Sequence, residues 1–285
     1  MLRYKISHVT SHSFPDQVSL LPHTLRLRPR EVHELRIEDS RLKISPAAHM
    51  LWYRDAEENS VARATFDTKT RKLTINSQVI IQKYDIEPLN FLVADYAVDY
   101  PFSYQKEDEI VLSPYRLASK NNNGTLLQER INTLWTPTEK LQSYALLQRL
   151  NRNLFESLKQ VVREEEGVQS AEQTLSLQSG SCRDFANVFM VIARQLGFAA
   201  RFVSGYLYLK SSTNQPGATH AWVEVFLPGA GWKGFDPTTG DMTGADHITV
   251  AVARLPESVP PVAGSYLGAP GATMQVGVWI DALDA

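Results

Sequence analysis

The chain of 285 residues contains one cysteine, Cys182. An internal disulfide is therefore impossible, which fits a reducing compartment. Neither sign of charge dominates: 29 Lys and Arg stand against 31 Asp and Glu, for a net charge of −2. A surface so balanced has no field to hold a polyanion or an anionic bilayer, so neither nucleic acid nor a membrane is expected as a partner. Long apolar runs are missing too. Stretches such as Val188 to Ala193 are far too short to span a bilayer, and the opening MLRYKISHVT lacks an apolar signal core. These absences together predict a cytoplasmic protein. There is no glycine-rich phosphate loop, internal repeat or low-complexity tract. His8 and His12 have a spacing that suits two metal ligands on a helix, yet their segment reads as strand, where such residues lie well apart. No metal or cofactor is expected.

What remains is an ordinary globular composition, 43% hydrophobic, on a chain long enough for two domains. Up to about residue 105, runs such as LRYKISHVT, HTLRLRP, ELRIEDSRLKIS, VARATF and KLTINSQVII are rich in β-branched residues with partial alternation. Residues 1–105 are expected to form an all-β domain. From Tyr100 to Gly124 the pattern breaks into Pro-, Asn- and Lys-containing sequence, and 106–124 reads as a linker. Residues 125–285 form the expected second domain.

That second part opens with WTPTEKLQSYALLQRLN, where Thr136 as cap, Pro137 in the first turn and Glu139 predict a helix. Ser170 and Gln173 predict another over Ala171 to Leu177. Then comes GSCRDFANVFMVIARQLGF. Phe185, Val188, Phe189, Ile192, Ala193 and Leu196 recur every three or four residues and Gly197 marks the end, so Cys182 lies in the first turn of a core-packed helix. Unpaired N–H groups and the dipole at a helix start favour a thiolate, and the same N–H groups suit an oxyanion. Arg183 and Asp184 read as a surface pair or a capping element.

Downstream, THAWVEVFLPGAGWKGFDPTTG alternates like a strand. His220, Trp222, Glu224 and Phe226 face one way, and Ala221, Val223, Val225 and Leu227 the other. Pro228 to Gly231 reads as the turn of a hairpin. That register sets Leu227 against Trp232 and Val223 against Asp236, so His220 and Asp236 meet only if the pairing shifts or bulges. Cys, His and Asp in this order supply a nucleophile, a proton carrier and an acid that fixes the imidazole tautomer. Taken singly, each has an ordinary explanation: a small residue in a tight turn, a strand histidine, an Asp opening a turn before Pro. Their coincidence on one helix start and one hairpin points to thiol chemistry.

These two segments resemble the bacterial transglutaminase-like superfamily, with a Cys after a Gly-Ser turn, a His before Ala-Trp and an Asp before Pro. The resemblance covers roughly residues 150 to 255, including DHITVAVAR, and LRLRPR and RLKISPA resemble the β-rich region that precedes this core in bacterial members. It implies an α+β protein: an N-terminal all-β domain followed by a papain-like, transglutaminase-like α+β domain. It further implies Cys182 as nucleophile, His220 as base and acid, and Asp236 as the orienting acid. Trp222, on the face of His220, is expected to border the substrate cleft. The expected function is a thiol-dependent amide acyl transfer on a peptide or protein substrate, with hydrolysis favoured over transfer of a glutamine acyl group to an amine. A peptide-binding scaffold without turnover is the competing reading. No calcium loop is present in the sequence.

Overall fold

The computed structural model describes residues 1–84, 87, 89–117, 124–163, 165–209 and 219–283. The first third is built of strands: β1 (Leu2–Leu20), β2 (His23–Leu25), β3 (Leu35–Ser45), β4 (His49–Arg54), β5 (Ser60–Thr65) and β6 (Thr70–Lys83). Alternation of apolar and polar residues along β1 and β6 puts Tyr4, Ile6, Val79 and Ile81 on one buried face. β6 lies between β1 and β3, both antiparallel to it. β4 and β5 pair as a hairpin, and β2 joins β5 in a second sheet. The strand over HMLWYR was not among the sequence expectations; it lies at a sheet edge with its residues exposed.

Helices then take over: α1 (Lys106–Arg116), α2 (Thr125–Leu134), α3 (Ser143–Ser157), α4 (Ala171–Leu177) and α5 (Cys182–Gln195). The expected linker 106–124 is therefore helical over much of its length, because Leu112 finds a core with Tyr104 and Ala199; 118–123 lie outside the described residues. The expected helix start at Thr136 is also displaced. Leu141 and Gln142 pair with Asp99 and Tyr100 as a short ladder, and the helix begins only at Ser143. Backbone pairing there outweighs a capping signal worth about 1 kcal/mol.

Strands β7 (Ala200–Leu207), β8 (His220–Leu227), β9 (Gly231–Asp236) and β10 (His247–Ala253) form an antiparallel sheet in the order β9-β8-β7-β10, with Asp241–Met242 outside β9. One face carries Ala221, Val223, Val225, Leu227 and Phe235, which pack under α5 together with the apolar sides of α3 and α4. The opposite face offers Tyr206, Ile248 and Val250 to Tyr4, Ile6, Val79 and Ile81 of the N-terminal sheet. The β domain is thus the back support of the second sheet.

The chain does not end in its second domain as expected for 125–285. Val262–Ala263 pairs with β2, Tyr266–Leu267 with the end of β1, and β11 (Thr273–Leu283) runs along β1 from Ser13 to Arg3. β1 needed a partner on the side away from β6, and the returning segment supplies it.

Candidate active site

The start of α5 is built around Asp184. Its carboxylate is fully buried, and it accepts hydrogen bonds from the Ser181 N–H (2.7 Å), the Ser181 hydroxyl (2.7 Å) and the Gln169 N–H (2.8 Å). Arg163 closes the set through an ion pair at 2.8 Å. Burial alone would raise this carboxyl, but the donors outweigh it and hold it below its ordinary value. Asp184 is therefore a capping element and not half of a surface pair; Arg183 instead donates to the carbonyls of Arg163 and Glu165. Gly180 allows the turn to close, since a Cβ there would come 2.8 Å from that of Asp184. Cys182, partly exposed, is consequently presented at the tip of a rigid helix.

His220 is the first residue of β8, and the hairpin that follows delivers Asp236. Its register differs by one from the sequence expectation: Leu227 faces Gly231 and Val223 faces Phe235. Left-handed Gly229 (φ 81) and Gly231 (φ 76) permit a three-residue loop, where the expectation had four. Val223 and Phe235 both point to the α5 side, so Asp236 falls on the face of Trp222 and His220. The shift left open by the sequence is supplied by the turn.

The contacts follow from this register. His220 Nε2 lies 2.7 Å from Asp236 Oδ2, and Cys182 stands beside the same imidazole, close enough to raise its basicity. With Nε2 committed to the acid, Nδ1 is the nitrogen left for the thiol. Asp236 is wholly buried, and its Oδ1 accepts from the N–H (2.9 Å) and hydroxyl (2.6 Å) of Thr238. Burial would lower the His220 imidazole, yet the hydrogen bond it donates to Asp236, the charge of that carboxylate and the neighbouring Cys182 push it up to about 10. Burial likewise favours the neutral Asp236, and its donors reverse this and hold the carboxyl far below the ordinary range.

Trp222 is placed differently from the expectation of a cleft border. It is 1% exposed, packed with Val203 and Val252, and its ring lies 6.1 Å from that of His220. It backs the imidazole from inside the protein. Gly205, opposite His220 in the ladder, makes room for it, because a Cβ there would meet the Trp222 ring at 2.5 Å and the Ile248 carbonyl at 2.3 Å.

Sequence reasoning missed His247. Its Nε2 lies 3.0 Å from the same Asp236 Oδ2, and its only signal was its place at the head of the strand-like DHITVAVAR. His220, Asp236 and His247 bring three possible metal-ligand atoms within 4.8 Å of one another. However, the 2.7 and 3.0 Å separations are hydrogen-bond distances. Ligand atoms about 2.0–2.1 Å from a tetrahedral zinc stand roughly 3.3 Å apart. The arrangement is better suited to carrying protons. His8, considered above as a metal ligand, is buried in β1, with its two nitrogens bonded to the Tyr206 and Thr10 hydroxyls.

Comparison with known proteins adds to this geometry. Residues 4–82 match the bacterial transglutaminase-like N-terminal region, and residues 133–237, which include Cys182, His220 and Asp236, match the transglutaminase-like superfamily core. The chain is 24% identical to the uncharacterized protein ML0607 of Mycobacterium leprae, over 99% of this chain and 100% of that one. It is 29% identical to the uncharacterized protein Rv2569c of Mycobacterium tuberculosis, over 92% and 87%. A crystal structure of a candidate cysteine protease from Cytophaga hutchinsonii superimposes with a TM-score of 0.76 at 17% identity, covering 100% of this chain and 91% of that one, and so shares its fold.

Proposed function

The chain belongs to the transglutaminase-like superfamily, and from that premise we propose that it is a thiol-dependent amide hydrolase acting on a peptide or protein. The observation that carries this reading is the His220 imidazole, held by Asp236 at 2.7 Å, with Cys182 beside it at the start of α5. The Cys182 sulfur attacks an amide carbonyl, and the Cys182 and Arg183 N–H groups that open α5 face the oxygen that gains charge. As the tetrahedral species collapses, the C–N bond breaks and His220 passes its Nδ1 proton to the leaving nitrogen. The thioester is then opened by water: His220 takes a proton from it, the new C–O bond forms, and the thiol leaves with its electron pair. Asp236 keeps the other imidazole proton on Nε2 throughout, so that Nδ1 is the nitrogen that exchanges protons.

Hydrolysis is preferred because water needs no second apolar channel, whereas an amine acceptor does. The test is mass spectrometry of the products formed from a peptide library, with and without a labelled primary amine. Cleaved or deamidated products are expected in both, and Cys182→Ala is expected to remove them by orders of magnitude while leaving stability within about 1 kcal/mol. Dominant incorporation of the amine would make the protein a transferase. Absence of any product that depends on Cys182 would favour a peptide-binding scaffold.

A further inference from the structure

Asp236 Oδ2 accepts two imidazole N–H groups, and only one of them has a place in the chemistry proposed above. The other belongs to His247, whose orientation is determined by its surroundings. Its Nδ1 accepts the Gly244 N–H at 3.2 Å, so the ring proton resides on Nε2, directed at Asp236 3.0 Å away. Trp222 stands edge-on to this ring, 5.2 Å between centroids at 83°, and restricts its rotation. The turn that carries the ring is closed by the His247 N–H on the Gly244 carbonyl (3.1 Å).

That turn is gripped from the other domain. Lys83, the last residue of β6, sends its Nζ to the carbonyls of Gly244 (3.1 Å) and His247 (2.7 Å). The Tyr4 hydroxyl, on β1, donates to Asp246 Oδ1 at 3.3 Å. Lys83 is itself buried, and Tyr4 belongs to the apolar contact between the two sheets. A fixed line of contacts therefore runs from the β domain through the turn at 244–247 to the acid that orients His220.

We propose that His247 is a positioning residue that holds Asp236 against His220, and that the N-terminal β domain sets its place by clamping the 244–247 turn through Lys83. This rests on the Cys182–His220 reading. A carboxylate oxygen anchored by two donors cannot swing away when His220 gains or loses its Nδ1 proton. Without His247 the Oδ2 edge keeps the His220 donor alone while Thr238 holds only Oδ1, so Oδ2 can shift about Cβ–Cγ and the imidazole loses its fixed tautomer. The arrangement gives the β domain a part in the chemistry although it contributes no group that touches substrate.

The test needs no knowledge of the substrate. In the full chain, Cys182 is alkylated with iodoacetamide at pH 6 and followed by mass spectrometry, and the His220 Nε2–H proton is followed by NMR of ¹⁵N-histidine-labelled protein. His247→Met keeps length but removes the donor, and His247→Gln returns an N–H near the Nε2 position. The Met variant is expected to slow alkylation roughly 10-fold, the scale of losing one hydrogen bond to a charged group, and to broaden the His220 proton through exchange. The Gln variant is expected to restore both. Lys83→Met should act in the same direction as His247→Met. Met and Gln variants that behave alike, as native or equally impaired, would overturn the proposal, and a native profile in Lys83→Met would remove the clamp from it. Failure of the underlying reading looks different: native protein would then alkylate no faster than free cysteine, and His220→Ala would change nothing.

Discussion

At Asp236 a single buried carboxylate serves His220, His247 and both donors of Thr238, and this concentration of donors explains why a charge is tolerated where solvent is excluded. The same contacts make His220 a stability element. Its folded value, about 10, lies above the ordinary imidazole value, so the stabilisation from its partners is fully present below about pH 6.5 and is lost as pH rises through about 10. Thermal unfolding between pH 6 and 10.5 is expected to show a loss of stability near the upper end that His220→Gln does not share. A native curve parallel to that of the variant across this range would contradict the assignment. Cys182, His220 and Asp236 were legible in the sequence because each sits beside a local signal: a helix start, an alternating strand, a turn before Pro. His247 was not, since its relation to Asp236 depends on β9 and β10 occupying opposite sides of one sheet.

Among the elements, α5 shows how much of a site is local. Its apolar period, its start at Cys182 and its end before left-handed Gly197 (φ 90) all follow from neighbouring residues. The network that fixes its first turn is not local in the same sense, because Arg163 and Gln169 come from the segment before α4. Asp184→Asn keeps the shape and removes the charge, leaving Arg163 without its buried partner. It should destabilise the fold by about 3 kcal/mol, the lower end for breaking a buried pair, and reduce Cys182 reactivity with it. A urea unfolding midpoint unchanged from native would show that the ion pair is not what holds this turn. The helix expected from Thr136 illustrates the opposite case. Thr136 and Glu139 close only a turn, with the Glu139 N–H on the Thr136 carbonyl, and Leu141 and Gln142 pair with Asp99 and Tyr100, some forty residues earlier, so that the helix starts after them.

Over the whole molecule, the two halves are joined by more than apolar contact. Asn59, fully buried in the β domain, bonds to both backbone groups of Val252, with its Oδ1 accepting the N–H and its Nδ2 donating to the carbonyl, each at 2.8 Å. β10 is the outer strand of the second sheet, so Asn59 satisfies groups that another strand would otherwise pair. Asn59→Ala leaves them buried and unpaired. A loss of roughly 2–6 kcal/mol is expected, at about 1–3 kcal/mol for each of the two unsatisfied groups, measured by denaturant unfolding. A loss below about 0.5 kcal/mol would mean that water replaces the amide.

The sequence by itself determined the strand-rich start, the helix over Ala171–Leu177, the position of α5 and the three residues proposed as a triad, because alternation, three- and four-residue periodicity and turn chemistry act between neighbours. Tertiary structure alone decided the one-residue register of the β8–β9 hairpin, the burial of Trp222 behind His220, the second imidazole on Asp236 and the return of β11 to β1. Each of these is a choice among pairings that look equally good locally, and it is made by side chains far apart in the chain that must fill one core and satisfy one another's buried polar groups.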